Sequence, residues 1–553
     1  MSNKISRRNK TDRNNQAETG SFHTEPERLK WMIEHLLTAV ALALCVTVPL
    51  YAKDGYHQIG NAKFEAYRRI MIGGCSVLLV LAAVYFVCRT IAQNGKQGSR
   101  LSVTDWFVFA YLVLTGASVA AGGFYEDALW GAFGWNMGFL SQVSFVLLYL
   151  FFSRFGKYYR IVLVVLCQVA AVVFGIGILH RLMIDPIGFY DGLNNAQKAQ
   201  FLSTLGQATW YAAFLAVTLP VGVGVFLYAE RRKWRILGGI YMLLGFCTLV
   251  TQNSDSAYFA QAGMLLVFFM ISCGKRETVC RFLVVLTLFF ATGKGMYLLM
   301  RMRPNPALEP DFVTELMWTS WVTWGLLVVC LISSIVSYRI GRNKGTSLLW
   351  NGTGWQTRLD SSSAVRLIRW SVMGSVAGLL LLTVLAIVLQ SREMLPAGLS
   401  DKIGEISYLN WSDDWGNGRG RIWKFACKVI SEESWRHRIF GIGPDCFNSY
   451  VTVYHGEEAA LLWGEKLLTN AHNEWLNILI NGGILGGAAY LGIFVTAVCR
   501  FLQYRSKNML LAGIAAAVVS YMCYNFFCYQ QVLCTPFVFL LMGIGDYIVR
   551  EEG

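Results

Sequence analysis

Asn470-Ala471-His472-Asn473-Glu474-Trp475 closes a polar stretch, Gln390 to Thr469, in a chain that is otherwise a succession of apolar runs. That contrast decides the fold. A spanning helix needs about 20 mostly apolar residues. The chain holds enough such runs for about fourteen, and the polar stretch is the one long interruption between them. Of the 553 residues, 55% are hydrophobic and 15% charged, against roughly 25% charged in an average soluble domain. So much apolar sequence cannot be hidden inside one soluble core. The expected fold is all-α, a polytopic helical membrane protein with one large extracytoplasmic loop carrying short helices.

Working outward from the loop, the expected spans are 31–52, 70–91, 106–121, 137–153, 161–180, 210–229, 236–252, 257–274, 282–300, 317–338, 370–390, 475–499, 509–526 and 533–549. Ile480-Asn481-Gly482-Gly483 is expected to break its helix or form a re-entrant turn, because glycine weakens helices. The expected domains are a disordered basic tail (1–30), an N-terminal bundle (31–338), a cytoplasmic linker (339–369) and a C-terminal part (370–549) holding the outer loop 390–474.

Net charge is +14, and its distribution says more than its size. Alternate loops carry Arg89, Lys96 and Arg100; Arg154, Lys157 and Arg160; Arg231 to Arg235; Lys275, Arg276 and Arg281; Arg339 to Arg369; and Arg500, Arg505 and Lys507. The opposite set holds Glu126, Asp127, Asp185, Asp191, Glu309, Asp311 and Glu315. By the positive-inside rule both termini are cytoplasmic and the 390–470 loop faces outward. The basic character is thus a topology signal, and no nucleic-acid partner is expected. The first 30 residues lack an apolar core and do not read as a signal peptide. Fourteen cysteines lie mostly in apolar spans and read as small buried hydrophobes. No spacing suggests a metal site, and neither metal nor cofactor is expected.

Within the outer loop, residues 419–434 fit an amphipathic helix with Ile422, Phe425, Ala426, Val429 and Ile430 on one face. Asn417-Gly418 precedes it as a turn, and Gly441-Ile442-Gly443-Pro444-Asp445 is another. His472 sits at the start of the next helix, whose first N–H groups could bind an anion. It could act as a base or assist a leaving phosphate near neutral pH. The bland alternative is a histidine that ends a helix. Arg419 and Arg421 match phosphate oxygens in geometry, or else pair with Asp413 or Asp414. Trp423 lies beside them. Asp255, in Asn253-Ser254-Asp255-Ser256, is either an exposed turn residue or a polar group reaching an outward cavity. The chain has no GxxxxGK[ST], which argues against ATP-driven transport within it.

The C-terminal pattern resembles the O-antigen ligase/polysaccharide polymerase superfamily. Gly418-Arg419-Gly420-Arg421-Ile422-Trp423 resembles its Gly-Arg-x-x-x-Trp, and Phe440 to Phe447 its GxGxxxF turn. Ala471-His472-Asn473-Glu474-Trp475-Leu476, followed by Gly483 to Gly487, resembles its AHNxxL…GxxG stretch. With Thr204 to Ala212 and Leu219-Pro220, the resemblance covers about 210–500. Two arginines common in the family are absent: residues 253–257 read Asn-Ser-Asp-Ser-Ala, and Trp135 stands at the other place. Any two-arginine clamp would then be built differently, with Arg419 and Arg421 together as one way; otherwise Arg419, with Arg421 as the alternative, would bind the diphosphate.

The resemblance implies a membrane glycosyltransferase of the bacterial plasma membrane. It would move a glycan from a polyprenyl-diphosphate carrier to a hydroxyl of an acceptor glycan, lipid or protein, without metal or nucleotide sugar. His472 would be catalytic, oriented by Asn473 and Glu474. Arg419, Arg421, Trp423 and Asp255 would bind diphosphate or glycan. The competing readings are a flippase or exporter of lipid-linked oligosaccharide, and an assembly scaffold with a degenerate site. A transporter should carry its charges within the spans, and here they concentrate in loops.

Overall fold

The computed structural model describes residues 25–92, 101–132, 134–342, 363–396, 398, 400, 407–464, 466 and 468–552. The expected tail up to residue 24 and the linker core, 343–362, lie outside the described residues. Each of the fourteen expected spans coincides with an α-helix. Eleven helices are long and apolar enough to cross a membrane, and Phe139–Phe155 and Leu510–Tyr524 are shorter apolar helices. The last span falls on Thr535–Glu552. The only sheet among the described residues is a two-residue hairpin, Phe201–Leu202 with Gly206–Gln207. The protein is an all-α, multi-pass membrane protein.

The centre of the bundle is Ala208–Tyr228, 83% buried over its apolar window. It is apolar all round, as a helix surrounded by others must be. Arg232–Thr251, Asp255–Ser272 and Leu510–Tyr524 pack on it. At the periphery Val365–Ser391 has no buried residue in its apolar window. Its exposed Leu379 to Leu382 are suited to lipid contact.

Two lysines do lie within spanning helices, against the expectation that cations keep to the loops. The Lys63 ammonium donates to the carbonyls of Val48, Pro49 and Tyr51 at 2.9, 3.0 and 2.9 Å. Lys294 donates to Trp318 and Ser320 at 3.0 and 3.1 Å. Each fills the orphan carbonyls at the end of a neighbouring helix, Glu25–Leu50 or Phe312–Thr319, which is a structural task.

Glu474–Tyr504 breaks at Gly483, where φ is +66°. The break frees carbonyls, and the 441–443 turn takes them up: Ile442 N–H donates to Ile480 O (3.1 Å) and Gly443 N–H to Asn481 O (3.0 Å). A Cβ on Gly441 would lie 2.2 Å from Asn481 O, and one on Gly483 2.4 Å from Ile439 O. Backbone meets backbone here, so the two glycine motifs are halves of one joint. It fixes the outer loop onto the membrane helices. Phe425, Ala426 and Val429 bury the expected face of the Trp415–Glu432 helix against Phe447, Tyr450 and Val451.

Candidate active site

One end of the bundle gathers the long connections. Asp445 accepts from Ala132 N–H (2.9 Å) and Met137 N–H (2.8 Å). Asn253 and Asp255 grip residues 309–313: Asn253 Nδ2 donates to Glu309 O (2.8 Å), and Val313 N–H donates to Asp255 Oδ1 (2.9 Å). Tyr408 O–H donates to Asp255 Oδ2. Glu474 N–H donates to Asn525 O at 2.8 Å. The turn 525–531, between the last two helices, thereby joins the site. Sequence reading passed it over, although four polar residues in so short a turn (Asn525, Tyr529, Gln530, Gln531) were a usable signal.

Arg419 is aimed by a left-handed turn. Gly416, Asn417 and Gly418 all have positive φ, so the regular helix begins only after them. Arg419 Nε donates to Phe527 O (3.0 Å) and Nη1 to Gly416 O (2.7 Å). Among the described residues no carboxylate lies within ion-pair distance of it. Its charge is nonetheless felt by Asp311, whose carboxyl burial and neighbouring Asp255 push up to about 6.

Arg421, two residues on, points elsewhere. Nη1 donates to Leu462 O (3.2 Å), Nε lies 3.7 Å from Asp413, and Nη2 lies 3.8 Å from Asp414. The two arginines therefore do not converge on one ligand, and the expected paired clamp is not formed. Trp423 packs with Trp411, Trp415 and Phe527 at ring-centre distances of 6.1, 5.3 and 6.0 Å. Among the described residues its buried Nε1 has no hydrogen-bond partner.

His472 has φ +46°, an uncommon conformation for a residue with a side chain. Asn470 Oδ1 accepts its N–H at 2.9 Å and holds the turn. Its ring meets Tyr529 edge-on at 5.4 Å. Among the described residues nothing hydrogen-bonds either ring nitrogen. Burial, and then the Arg419 charge, lower its pKa to about 4, so the imidazole is neutral and its lone pair is free.

The expected anion site at this helix start is not available. Asn473 Oδ1 takes the N–H groups of Trp475 (2.9 Å) and Leu476 (3.2 Å). Asn473 O takes that of Asn477, and Asn525 O that of Glu474. The three N–H groups of the first turn, those of Glu474, Trp475 and Leu476, are thus consumed, and that of Asn477 makes the first bond within the helix. Nor do Asn473 and Glu474 hold the His472 ring. Asn473 caps the helix, and the buried Glu474 Oε2 accepts from Gln530 N–H at 3.1 Å. They shape the backbone on which His472 stands. Asp255 likewise spends its oxygens on Val313 and Tyr408.

The place of one absent arginine is taken by Trp135, edge-on to Tyr529 at 4.4 Å. The result is a lone guanidinium, a neutral unbonded imidazole and an aromatic wall, all at the outer-loop end. Such a set can hold an anionic group and accept a proton beside it.

Residues 319–491 match the family described as O-antigen ligase. The matched stretch includes Arg419, the 441–445 turn and His472. No curated protein matches the chain.

Proposed function

From the support that residues 319–491 give to the O-antigen ligase superfamily, we propose that this membrane protein transfers a glycan from a polyprenyl diphosphate to an acceptor hydroxyl. The observation that carries the reading is the pairing of Arg419, free of any carboxylate partner among the described residues, with an unbonded neutral His472. The acceptor oxygen attacks the anomeric carbon, and its proton passes to a His472 nitrogen. The bond from that carbon to the diphosphate oxygen breaks, and the diphosphate leaves with the electron pair. Arg419 offsets the charge growing on it. In this reading the site end faces outward and both termini are cytoplasmic, since Arg154, Lys157 and the basic run 231–235 lie at the other end.

The test compares wild type with His472→Ala at matched membrane level in cells lacking the native protein. Transfer should fall about 10²–10⁴-fold, the usual contribution of a positioned base. Lipid-linked glycan should then accumulate on the outer face, as single repeats for a polymerase or full chains for a ligase. Accumulation on the inner face, or an unchanged surface product, overturns the reading.

A further inference from the structure

Arg419 hangs on a turn that is loose by composition. Gly416, Asn417 and Gly418 have φ of +60°, +61° and +85°, and two glycines in three residues leave the backbone many other conformations. Within the turn, Trp415 N–H donates to Ser412 O (3.2 Å), Gly418 N–H to Asp414 O (3.1 Å) and Arg421 N–H to Asp413 O (3.0 Å). These bonds tie residues 412–421 to themselves; they do not aim the turn at the site. On one side Trp415 packs against Phe527, with ring centres 6.4 Å apart.

The other side leads back to membrane helices. Trp415 Nε1–H donates to Tyr408 O at 2.9 Å, and Tyr408 O–H donates to Asp255 Oδ2. Asp255 is the first residue of Asp255–Ser272, and its other oxygen accepts Val313 N–H at 2.9 Å. Next to it, Asp311 N–H donates to Asn253 Oδ1 at 2.9 Å. One end of this chain of bonds is thus fixed to the starts of two helices, Asp255–Ser272 and Phe312–Thr319. Its other end, Trp415, adjoins Gly416, whose carbonyl accepts Arg419 Nη1 at 2.7 Å. The Tyr408 ring is placed separately, by Phe312 and Trp415 at ring-centre distances of 5.4 and 5.8 Å. Its hydroxyl adds a bond to a carboxylate oxygen, which is a strong class. The Arg419 charge is felt at Tyr408 and at Asp311, so the guanidinium stands close to this brace.

We infer that Tyr408 is a positioning residue: its hydroxyl fastens the Arg419 turn to the start of Asp255–Ser272, so that the guanidinium faces the site before any ligand arrives. The inference rests on the transferase reading above. Tyr408 touches no reacting atom in that reading and acts through Arg419. A charge already in place stabilises a leaving group without first having to turn, so slack in the turn costs rate more than binding. Asp255 then anchors the brace, in place of the expected contact with diphosphate or glycan.

The experiment uses the purified full chain in detergent. Tyr408→Phe removes the hydroxyl and keeps the ring. Trp415→Phe removes the Nε1 donor and keeps an aromatic ring, so it cuts the same brace at its other bond and carries the test if Tyr408→Phe does not fold. In hydrogen exchange read by mass spectrometry, peptides covering 412–421 should exchange about 5- to 20-fold faster in each variant, the range of one lost hydrogen bond, and peptides covering 441–445 should not change. In the transfer assay each variant should lower kcat by a similar factor, with a smaller change in KM for the lipid-linked donor. In an Arg419→Ala background neither should lower transfer by more than about twofold further, because a residue that acts through Arg419 has nothing left to aim. Unchanged exchange, unchanged kcat, or a loss of equal size with and without Arg419 overturns the assignment. Absence of transfer by wild type overturns the transferase reading, and exchange in 412–421 then decides by itself whether Tyr408 holds the Arg419 turn.

Discussion

The two ends of the bundle treat charge in opposite ways. At the end away from the outer loop, Asp105 is fully buried between Arg154 (3.0 Å) and Arg550 (2.5 Å). Asp546 lies 3.0 Å from Arg500 and 2.5 Å from Arg550. Carboxylate and guanidinium alternate, and Ser102 N–H and Tyr149 O–H satisfy Asp105 further. At the loop end the solvated charges pair, as Lys424 does with Asp413 (2.8 Å) and Lys428 with Glu458 (2.6 Å), but some more sheltered groups have no opposite charge beside them. Among the described residues Arg419 has no carboxylate partner, His472 has no hydrogen bond to its ring, and Glu433 has neither oxygen bonded. Burial pushes that Glu433 carboxyl up to about 8. Matched charges tie helices together, whereas unmatched ones are held ready for something that arrives later.

The largest effect that would break this contrast is on stability. Asp105→Ala leaves Arg154 and Arg550 without their shared anion, and should destabilise the protein by about 3–5 kcal/mol. Thermal unfolding in detergent would show it, while turnover per folded molecule stays unchanged. A loss of turnover without loss of stability would mean that the matched end is functional after all.

The mirror experiment is Arg419→Ala. It should lower transfer about 10²–10³-fold, typical for one lost group at a developing anion, and hardly move the unfolding midpoint. If the midpoint falls and activity per folded molecule holds, Arg419 is only a tie between the 416–418 turn and Phe527.

The same variant sharpens the contrast through pH. The His472 imidazole works as a base only when neutral. With its pKa at about 4, kcat/KM for the donor should hold as pH falls through the ordinary histidine range, near 6.5, and drop only toward 4. Arg419 lowers that pKa, so removing it must raise it. The acidic limb of the Arg419→Ala profile should therefore lie at higher pH than in wild type. Asp311, at about 6, and Asp255 feel Arg419 as well, so the same substitution in a His472→Gln background separates their contribution from that of His472. An unmoved limb would mean that His472 does not set it.

What was legible in advance divides along the same line. Apolar period and length locate helices, and glycines locate backbone breaks, because both are local properties. Hence the fourteen segments, the break at 480–483 and the buried face of 419–434 could be read from the sequence. The use of the helix start at Glu474 could not. Its donors are consumed partly by Asn525, about fifty residues further on. Nor could the brace on the Arg419 turn, in which Tyr408 bonds to Asp255, 153 residues earlier. Sequence lists polar groups, and only the fold shows which of them cancel.

The smallest predicted effect is the most discriminating between neighbours. Arg419 and Arg421 share a motif and a helix, and composition gives no ground for choosing between them. The left-handed turn at 416–418 sets where the helix starts, and hence which arginine faces Phe527 and which faces Leu462. Arg421 is about a third exposed, and its acidic neighbours at 3.7 and 3.8 Å are themselves solvated. Such pairs contribute about 0.2–1 kcal/mol. Arg421→Ala should thus cost less than about 1 kcal/mol of stability and change transfer by no more than about fivefold, against the hundredfold or more expected at Arg419. Side-by-side kinetics of the two alanine variants measures the difference. Equal losses would mean that both guanidiniums reach the diphosphate once the donor is bound, and that the outer-loop helix rotates to bring them together.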